Sequence, residues 1–160
     1  MDKTYNCRVV AWWTAGRTGL AKCESAPNTI HFTAPPEFGG LEGRWTPEEL
    51  LLAALAACFT TTFKVVAESS GFDYTDLEVA AEGAVGKSDS GYSFSEITLR
   101  PSLTISGDEK KDRALDLLLK ARNLCLVLRT FKITEKFDPQ VIVSQLPRPG
   151  YTAPAPAHHL

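Results

Sequence analysis

The sequence predicts an α+β protein in which antiparallel sheets pack around two long helices. Segments with the two-residue alternation of strands occur in groups before, between and after two segments with helical spacing. Strands that are grouped apart from helices are typical of antiparallel sheets, unlike the regular strand–helix alternation of a Rossmann fold. The chain also contains no Gly-x-Gly-x-x-Gly or P-loop motif and no Gly-x-Ser-x-Gly elbow.

Composition and charge are those of an ordinary soluble domain. Of the 160 residues, 44% are hydrophobic and 22% are charged, and the formal net charge is -2. Lysine and arginine form no long cluster, so a nucleic-acid partner is not expected. The first ten residues lack the apolar core of a signal peptide, and the longest apolar run, Leu50 to Phe59, is too short to span a bilayer. We therefore expect a cytoplasmic protein with no membrane partner.

Three short strands are predicted before the first helix. Residues 4–14 alternate and are rich in Val and Trp, and residues 20–24 and 29–33 follow as shorter strands. The sequence Gly-Arg-Thr-Gly at 16–19 predicts a turn between the first two. Residues 34–40, Ala-Pro-Pro-Glu-Phe-Gly-Gly, contain enough strand and helix breakers to predict a loop.

The first helix has a clear predicted start. Thr46 can be its N-cap, Pro47 suits the first helical position, and Glu49 completes a capping box. From residue 50 to residue 59 the helix is apolar nearly all round, which predicts burial on every side, inside one domain or between two chains. It is expected to end near residues 69–71.

The second half of the chain predicts a hairpin, a helix and a strand. Residues 77–85 and 92–105 are strands joined by a turn at 88–91. A helix is expected from Ser106, with Glu109 in the capping-box position. Residues 133–143 form a last strand, in which Pro139 marks a bulge or an edge. Residues 146–160 hold four prolines and predict a flexible tail, so the folded domain is expected to cover residues 1–145.

The four cysteines are the candidate chemical groups: Cys7, Cys23, Cys58 and Cys125. In a reducing compartment they are expected to be free or redox-active, and their spacing predicts no metal site and no cofactor. A cysteine inside an apolar helix, such as Cys58, is most often a small hydrophobic side chain. To react with a peroxide it must ionise, and an arginine is the best candidate for stabilising the thiolate, since the field of its own helix N-terminus fades within the first turn.

Residues 46–59, Thr-Pro-Glu-Glu-Leu-Leu-Leu-Ala-Ala-Leu-Ala-Ala-Cys-Phe, resemble the Pro-Glu-x-Leu…Ala-Ala-Cys-Phe helix of the OsmC and organic hydroperoxide resistance (Ohr) family. The similarity continues upstream through residues 35–40 and residues 16–19. Cys125 falls at the end of the second helix, as the family's second cysteine does. The resemblance covers about residues 4–145 and implies an intertwined homodimer with two active sites at the subunit interface.

The same resemblance implies a cysteine-based reductase of organic hydroperoxides. Cys58 would be the peroxidatic cysteine and Cys125 the resolving one. Arg17 matches the arginine that stabilises the thiolate in the Ohr branch, and Glu48 matches the glutamate that holds this arginine. An external dithiol, in the Ohr branch a lipoyl-bearing protein, would restore both thiols.

Two structural questions follow from this assignment. Phe59, Phe63, Trp12 and Trp13 could line an apolar substrate pocket, although core packing is the alternative for at least two of them. Glu48 and Cys58 are ten residues apart, which on a continuous helix is a rise of about 15 Å and a rotation of roughly 80°. One arginine could not easily contact both, so either the helix is broken between them or Arg17 moves.

The chain departs from the family pattern beside its second cysteine. Leu126 stands where the family commonly has proline, and the next residues are more apolar, which predicts a raised thiol pKa at Cys125. Cys7 and Cys23 are further possible partners for an oxidised Cys58. Two alternatives stay open: a non-catalytic relative that acts as a small-molecule binding or structural dimer, and a cysteine hydrolase using His31, the one histidine outside the tail.

Overall fold

A computed structural model describes residues 4–131 and 134–144. It confirms the α+β class. The strands and α-helices of the described residues are β1 Val9–Ala15, β2 Thr18–Cys23, β3 Ile30–Thr33, α1 Pro47–Ser69, β4 Asp76–Ser88, β5 Gly91–Ile105, α2 Lys111–Leu124, α3 Leu126–Thr130, β6 Thr134–Phe137 and β7 Gln140–Val143. The tail predicted at 146–160 lies outside the described residues.

The chain divides into two compact units, one ending at Ala54 and the other beginning at Leu55. The boundary falls inside α1, so this helix contributes residues to both units. The assignment of residues 1–145 to one domain therefore stays a prediction.

The N-terminal unit is built on an antiparallel sheet with the order β1-β2-β3. The first strand begins at Val9, later than predicted, and the turn consists of Gly16 and Arg17. A loop then returns along the sheet: the Thr33 N–H donates to Trp45 O at 2.9 Å, and the Ala34 N–H donates to Arg17 O at 3.0 Å. A Cβ atom on Gly40 would lie only 1.5 Å from Ala34 O, so this loop requires glycine there.

The capping box at the start of α1 is confirmed. The Thr46 N–H donates to Glu49 Oε2 at 2.8 Å, and the Glu49 N–H donates to Thr46 Oγ1 at 3.2 Å. The helix runs unbroken for 23 residues and ends at Ser69, close to the predicted end. No break separates Glu48 from Cys58, so one of the two alternatives for Arg17 is removed.

Burial of α1 on every side is not found within the chain. Only 28% of its most apolar stretch is buried, and Val65 is 64% exposed. The helix continues well past residue 59, so by length and composition alone it is sufficient to cross a bilayer, contrary to what the short apolar run suggested. The core helix of a soluble protein meets the same criterion.

The C-terminal unit is built on the predicted hairpin of β4 and β5. The two strands pair antiparallel from Asp76 opposite Thr104 to Ser88 opposite Gly91. The sheet is antiparallel at this hairpin but mixed as a whole, because β6 and β7 both pair parallel to β5. The predicted single last strand is divided at Asp138 and Pro139, where proline has no N–H to donate to a strand ladder.

The start of the second helix differs from the prediction. A short 3₁₀ turn at Asp108–Lys110 precedes α2, which begins at Lys111 without a side-chain cap. The prediction of a capping box formed by Ser106 and Glu109 is therefore wrong. The Ser106 hydroxyl instead accepts a hydrogen bond from Lys110 Nζ at 3.2 Å. The helix packs inward through Ala114, Leu117, Leu118 and Ala121, and ends at Leu124.

Candidate active site

Cys58 lies near the middle of α1, at the border of its buried face. Leu55 and Phe59, on the turns around it, are fully buried, whereas Cys58 itself is half-buried. The helix thus places the sulfur against the core without sealing it from solvent. A thiol in this position can meet a small molecule, which a fully enclosed one could not.

Cys125 lies between two helices, after the last residue of α2 and before the first residue of α3. Its backbone is extended, with φ -62° and ψ 111°, so the chain leaves α2 and begins α3 at the next residue. The Cys125 N–H donates to Arg122 O at 3.3 Å, and the Arg129 N–H donates to Cys125 O at 3.1 Å. Its side chain is fully buried. Sequence analysis missed α3, because the apolar residues from 124 to 128 contain no helix breaker.

The structure brings the two sulfurs together. Both thiols are free, and they lie close enough for Cys125 to lower the pKa of Cys58 and for Cys58 to raise the pKa of Cys125. They come from α1 and from the α2–α3 joint, which are separated by more than sixty residues of sequence. The two sulfurs belong to the same compact unit.

Hydrogen bonds lower the pKa of the Cys58 thiol. Partial burial acts to raise it, but donors around the sulfur outweigh burial. The backbone N–H of Val127 lowers the pKa most, followed by the Cys125 thiol, the Thr62 hydroxyl and the backbone N–H of Leu126. The result is a thiol whose pKa lies below that of an ordinary cysteine.

Cys125 shifts in the opposite direction. Burial and, to a smaller extent, the neighbouring Cys58 raise the pKa of its thiol to about 11, against smaller opposing contributions from the backbone at Leu128 and Val127. The raised pKa expected from its apolar surroundings is confirmed. Cys125 therefore keeps its proton at neutral pH and can donate it to the Cys58 sulfur.

Arg17 lies at the tip of the β1–β2 turn and is exposed. The Arg17 side chain lies beside the loop that follows β3, since a Cβ atom on Gly39 in this loop would lie 3.6 Å from Arg17 Nε. Together with Trp12, Trp13 and Phe32 it lines an open depression of about 260 Å³. Trp12, which was predicted to line a substrate pocket, is 43% exposed and lines this depression of the N-terminal unit.

Glu48 lies in the first turn of α1 and has a buried carboxylate oxygen. Within the described ranges, Oε2 of Glu48 has no hydrogen-bond partner. No hydrogen bond or ion pair joins Arg17 to Glu48 in this part of the chain, so the predicted pair is not formed in this conformation. Because α1 is unbroken, the remaining prediction is that Arg17 moves between Glu48 and Cys58.

The two phenylalanines assigned to the pocket are core residues. Phe59 and Phe63 are 0% exposed. Their rings pack against Phe137 at 5.8 Å and Tyr74 at 5.3 Å between centroids. Core packing, the interpretation given above for at least two of the four aromatic residues, therefore describes both, because helical spacing places them on the buried face of α1.

The remaining candidates lie in the N-terminal unit. Cys7 is exposed, and Cys23 is half-buried with its pKa lowered chiefly by a hydrogen bond to Ser25 at 3.5 Å. His31 is exposed on β3. In the described part of the chain no three His, Cys, Asp or Glu side chains are grouped to hold a metal ion.

Fold and site together define an α+β protein with a pair of neighbouring thiols, one with a lowered pKa and one with a raised pKa. The model of the OsmC-like protein family matches residues 40–138, and the chain belongs to this family. Among its relatives, the uncharacterized protein YmaD of Bacillus subtilis is 28% identical over 123 residues, 75% of this chain and 82% of YmaD. Peroxiredoxin OsmC of Escherichia coli is 30% identical over 105 residues, 65% of this chain and 71% of OsmC.

Solved structures share the fold. An organic hydroperoxide resistance protein from Elizabethkingia anophelis superposes with a TM-score of 0.72 at 23% identity, over 90% of this chain and all of its own. An OsmC-like protein of unknown function from Vibrio cholerae gives a TM-score of 0.76 at 19% identity, over 85% of this chain and 99% of its own.

Proposed function

We propose that this protein is a thiol-dependent peroxidase, which reduces organic hydroperoxides to alcohols through a Cys58 sulfenic acid that Cys125 resolves. The observation that carries the proposal is the thiol pair, in which the pKa of Cys58 is lowered beside a Cys125 that stays protonated. Membership of the OsmC-like family, which includes Peroxiredoxin OsmC, supports a peroxide-related role.

In the first step the Cys58 thiolate attacks the hydroxyl oxygen of the hydroperoxide. The O–O bond breaks, the sulfur becomes a sulfenic acid, and the alkoxide leaves and takes a proton to form the alcohol. Only the thiolate is an effective nucleophile, so the hydrogen bonds that lower the Cys58 pKa increase its reactive fraction at neutral pH.

In the second step the Cys125 sulfur attacks the sulfenic acid. A disulfide forms, and the hydroxyl group leaves with the Cys125 proton as water. An external dithiol then exchanges with this disulfide and restores both thiols while it becomes oxidised itself. A lipoyl-bearing protein is the dithiol we propose, in a cytoplasmic setting that keeps unpaired thiols reduced.

We assign Arg17 to stabilisation of the Cys58 thiolate and Glu48 to holding this arginine in place. A buried carboxylate oxygen without a partner is costly, so Glu48 Oε2 favours a second conformation in which a cation reaches it. Arg17 is exposed, long and in the same compact unit, which supports it as that cation. In such a conformation its guanidinium could also stabilise the developing alkoxide.

A homodimer completes the proposal. The exposed apolar positions of α1 include Val65, which is 64% exposed, and large apolar surfaces on one chain usually mark an interface. A subunit interface would also provide the apolar walls that an organic hydroperoxide needs. Trp12 and Trp13 are the exposed aromatic residues we propose for them.

Peroxide consumption by matched serine variants tests the function. Cys58→Ser is expected to abolish turnover of an organic hydroperoxide with a dithiol reductant, whereas Cys7→Ser, the control, should retain full activity because its thiol is outside the pair. Cys125→Ser should complete one turnover and accumulate a sulfenic acid that dimedone traps. Equal rates for Cys58→Ser and the parent protein would exclude the peroxidase.

A non-catalytic binding dimer is the second candidate. The burial of Cys125 and its pKa of about 11 favour it, because a protonated thiol resolves a sulfenic acid slowly. Titration of Cys58 separates the two candidates. A pKa near 8.5, the value of an unperturbed cysteine, favours the binding dimer, and a clearly lower value favours the peroxidase.

A further inference from the structure

Cys7 and Cys23 lie at the open end of the β1–β2 hairpin, opposite its turn. The outermost pair of the two strands is Val9 opposite Cys23, so these two side chains project from the same side of the sheet. Cys7 stands two residues before Val9, and residues 4–8 contain no turn or bend. The alternation of an extended chain therefore returns the Cys7 side chain to that same side, as a diagonal neighbour of Cys23.

The segments that carry the two cysteines stay together beyond the end of the ladder. Arg8 Nη1 lies 3.6 Å from Glu24 Oε1, so the residue before β1 remains beside the residue after β2. Diagonal neighbours in an antiparallel pair have Cα atoms about 7–8 Å apart. A disulfide needs roughly 4.4–6.8 Å, so a movement of about 1 Å brings Cys7 within reach of Cys23. Because β1 begins only at Val9, this movement leaves the strand ladder intact.

A small molecule in solution can reach both thiols. Cys7 is exposed and Cys23 is half-buried, and neither is in a disulfide. The Cys23 sulfur lies 3.5 Å from the Ser25 hydroxyl, and this contact is the main cause of the lowered pKa of Cys23. Since the thiolate is the reactive form, Cys23 is suited to attack first and Cys7 to complete the reaction.

We propose that Cys7 and Cys23 are a second redox pair, which a low-molecular-weight disulfide oxidises to a disulfide across the open end of the hairpin. The Cys23 thiolate attacks one sulfur of the small disulfide, whose S–S bond breaks and releases one thiolate. The Cys7 thiolate then attacks the Cys23 sulfur of the mixed disulfide and releases the second. The two cysteines lose two electrons and two protons, and the small disulfide takes them up as two thiols. The pair lies wholly within the N-terminal unit and does not depend on the proposed peroxidase.

The test equilibrates the parent protein with mixtures of reduced and oxidised glutathione, blocks free thiols with N-ethylmaleimide, and maps tryptic peptides by mass spectrometry. A disulfide between the two cysteines joins the peptide of residues 4–8 to that of residues 23–44. This linked product should accumulate as oxidised glutathione increases, with mixed disulfides as minor species. Cys7→Ser should instead retain glutathione on Cys23, because no second thiol displaces it. The ratio of linked to reduced protein gives the effective concentration of the pair.

A matched control moves the first thiol to the other side of the strand. In Cys7→Ser/Arg8→Cys the thiol is one residue nearer to Cys23 along the chain but projects away from it, so its effective concentration should be lower by on the order of tenfold. Arg8→Ala loses the same exposed ion pair but keeps Cys7, and should stay within about threefold of the parent. Circular dichroism checks that each variant is folded. Equal effective concentrations for the parent and Cys7→Ser/Arg8→Cys, or separate glutathione adducts on both parent cysteines, would overturn the inference.

Discussion

At the scale of single residues, two chemically identical side chains acquire opposite acidities from their surroundings. Cys58 is half-buried and accepts hydrogen bonds, so its pKa falls, whereas Cys125 is fully buried and its pKa rises to about 11. Each shift supports the other, because a protonated Cys125 can donate to the Cys58 thiolate. Oxidation of Cys58 removes that negative charge and with it two of the contributions that keep Cys125 protonated.

The two steps of the proposed reaction should therefore depend differently on pH. Formation of the sulfenic acid rises with pH only through the lowered pKa of Cys58 and then levels off. Formation of the disulfide continues to accelerate to higher pH, because burial still raises the pKa of Cys125 and the thiol must lose its proton to attack. Stopped-flow tryptophan fluorescence in a single turnover can separate the two phases. A rate of disulfide formation that is the same at about pH 7 and about pH 9 would contradict this expectation.

The Cys125 thiol should also be measurable as a hydrogen-bond donor. Cys125→Ala removes the donor, so the pKa of Cys58 should rise and its alkylation should slow several-fold at neutral pH. Cys125→Ser keeps a hydroxyl donor in nearly the same place and should leave the Cys58 titration close to that of the parent. A similar profile for both variants would mean that Cys125 does not contribute to ionisation.

At this scale the sequence could predict the two cysteines and the raised pKa of Cys125, but not the groups that lower the pKa of Cys58. The Ala-Ala-Cys-Phe helix motif indicated Cys58, and the position of Cys125 after a second helix indicated its partner. The contribution of the backbone at residues 126 and 127 could not be predicted, because it depends on a break between two helices at Cys125 that no glycine or proline marks.

At the scale of elements, local signals predicted helix α1 well. A threonine, a proline and a glutamate at fixed spacing specified its first turn, and the hydrogen bonds of the capping box confirm it. The start of α2 could not be predicted in the same way. The same pattern of Ser106 and Glu109 precedes a 3₁₀ turn there, so the residues of a capping box are not sufficient without the backbone to match.

The capping box should be worth a measurable part of the stability. Thr46→Ala is expected to lower the free energy of unfolding by about 1 kcal/mol, because the Glu49 N–H loses its acceptor. Thr60→Ala is the control: its hydroxyl only donates back to Ala56 O on the exposed side of the same helix. Urea denaturation followed by circular dichroism compares them. An equal loss for both variants would argue against a specific role for the cap.

The two core phenylalanines should behave as packing residues. Phe59→Ala and Phe63→Ala are each expected to lower the free energy of unfolding by about 3–5 kcal/mol, since each removes a fully buried ring. Val65→Ala, on an exposed part of α1, should lower the free energy of unfolding of the monomer far less. Urea denaturation again provides the measurement, and a folded, fully stable Phe59→Ala protein would restore the pocket assignment.

At the scale of the whole molecule, the fold class was predictable while part of the topology was not. Alternation of apolar residues identified the strands, and the hairpin of β4 and β5 followed from its turn. The parallel pairing of β6 and β7 with β5 joins segments far apart in sequence, and periodicity contains no information about which strands become neighbours.

The proposed homodimer makes a prediction at this scale. Val65→Glu places a charge on the exposed apolar side of α1 and should convert dimers to monomers if this side is an interface, because a buried unpaired carboxylate is strongly unfavourable. Val65→Thr, similar in shape and uncharged, should remain dimeric. Analytical ultracentrifugation distinguishes the two, and a dimeric Val65→Glu protein would exclude this side of α1.

Helix α1 is shared by both compact units, since the boundary between Ala54 and Leu55 lies inside it. This boundary is therefore a poor place to divide the chain: a split-protein reporter cut there would leave each half with a piece of helix that has no cap at the cut end. Engineered new termini or an inserted peptide are better accommodated at the exposed turn between β4 and β5, where Asp89 and Ser90 make the reversal.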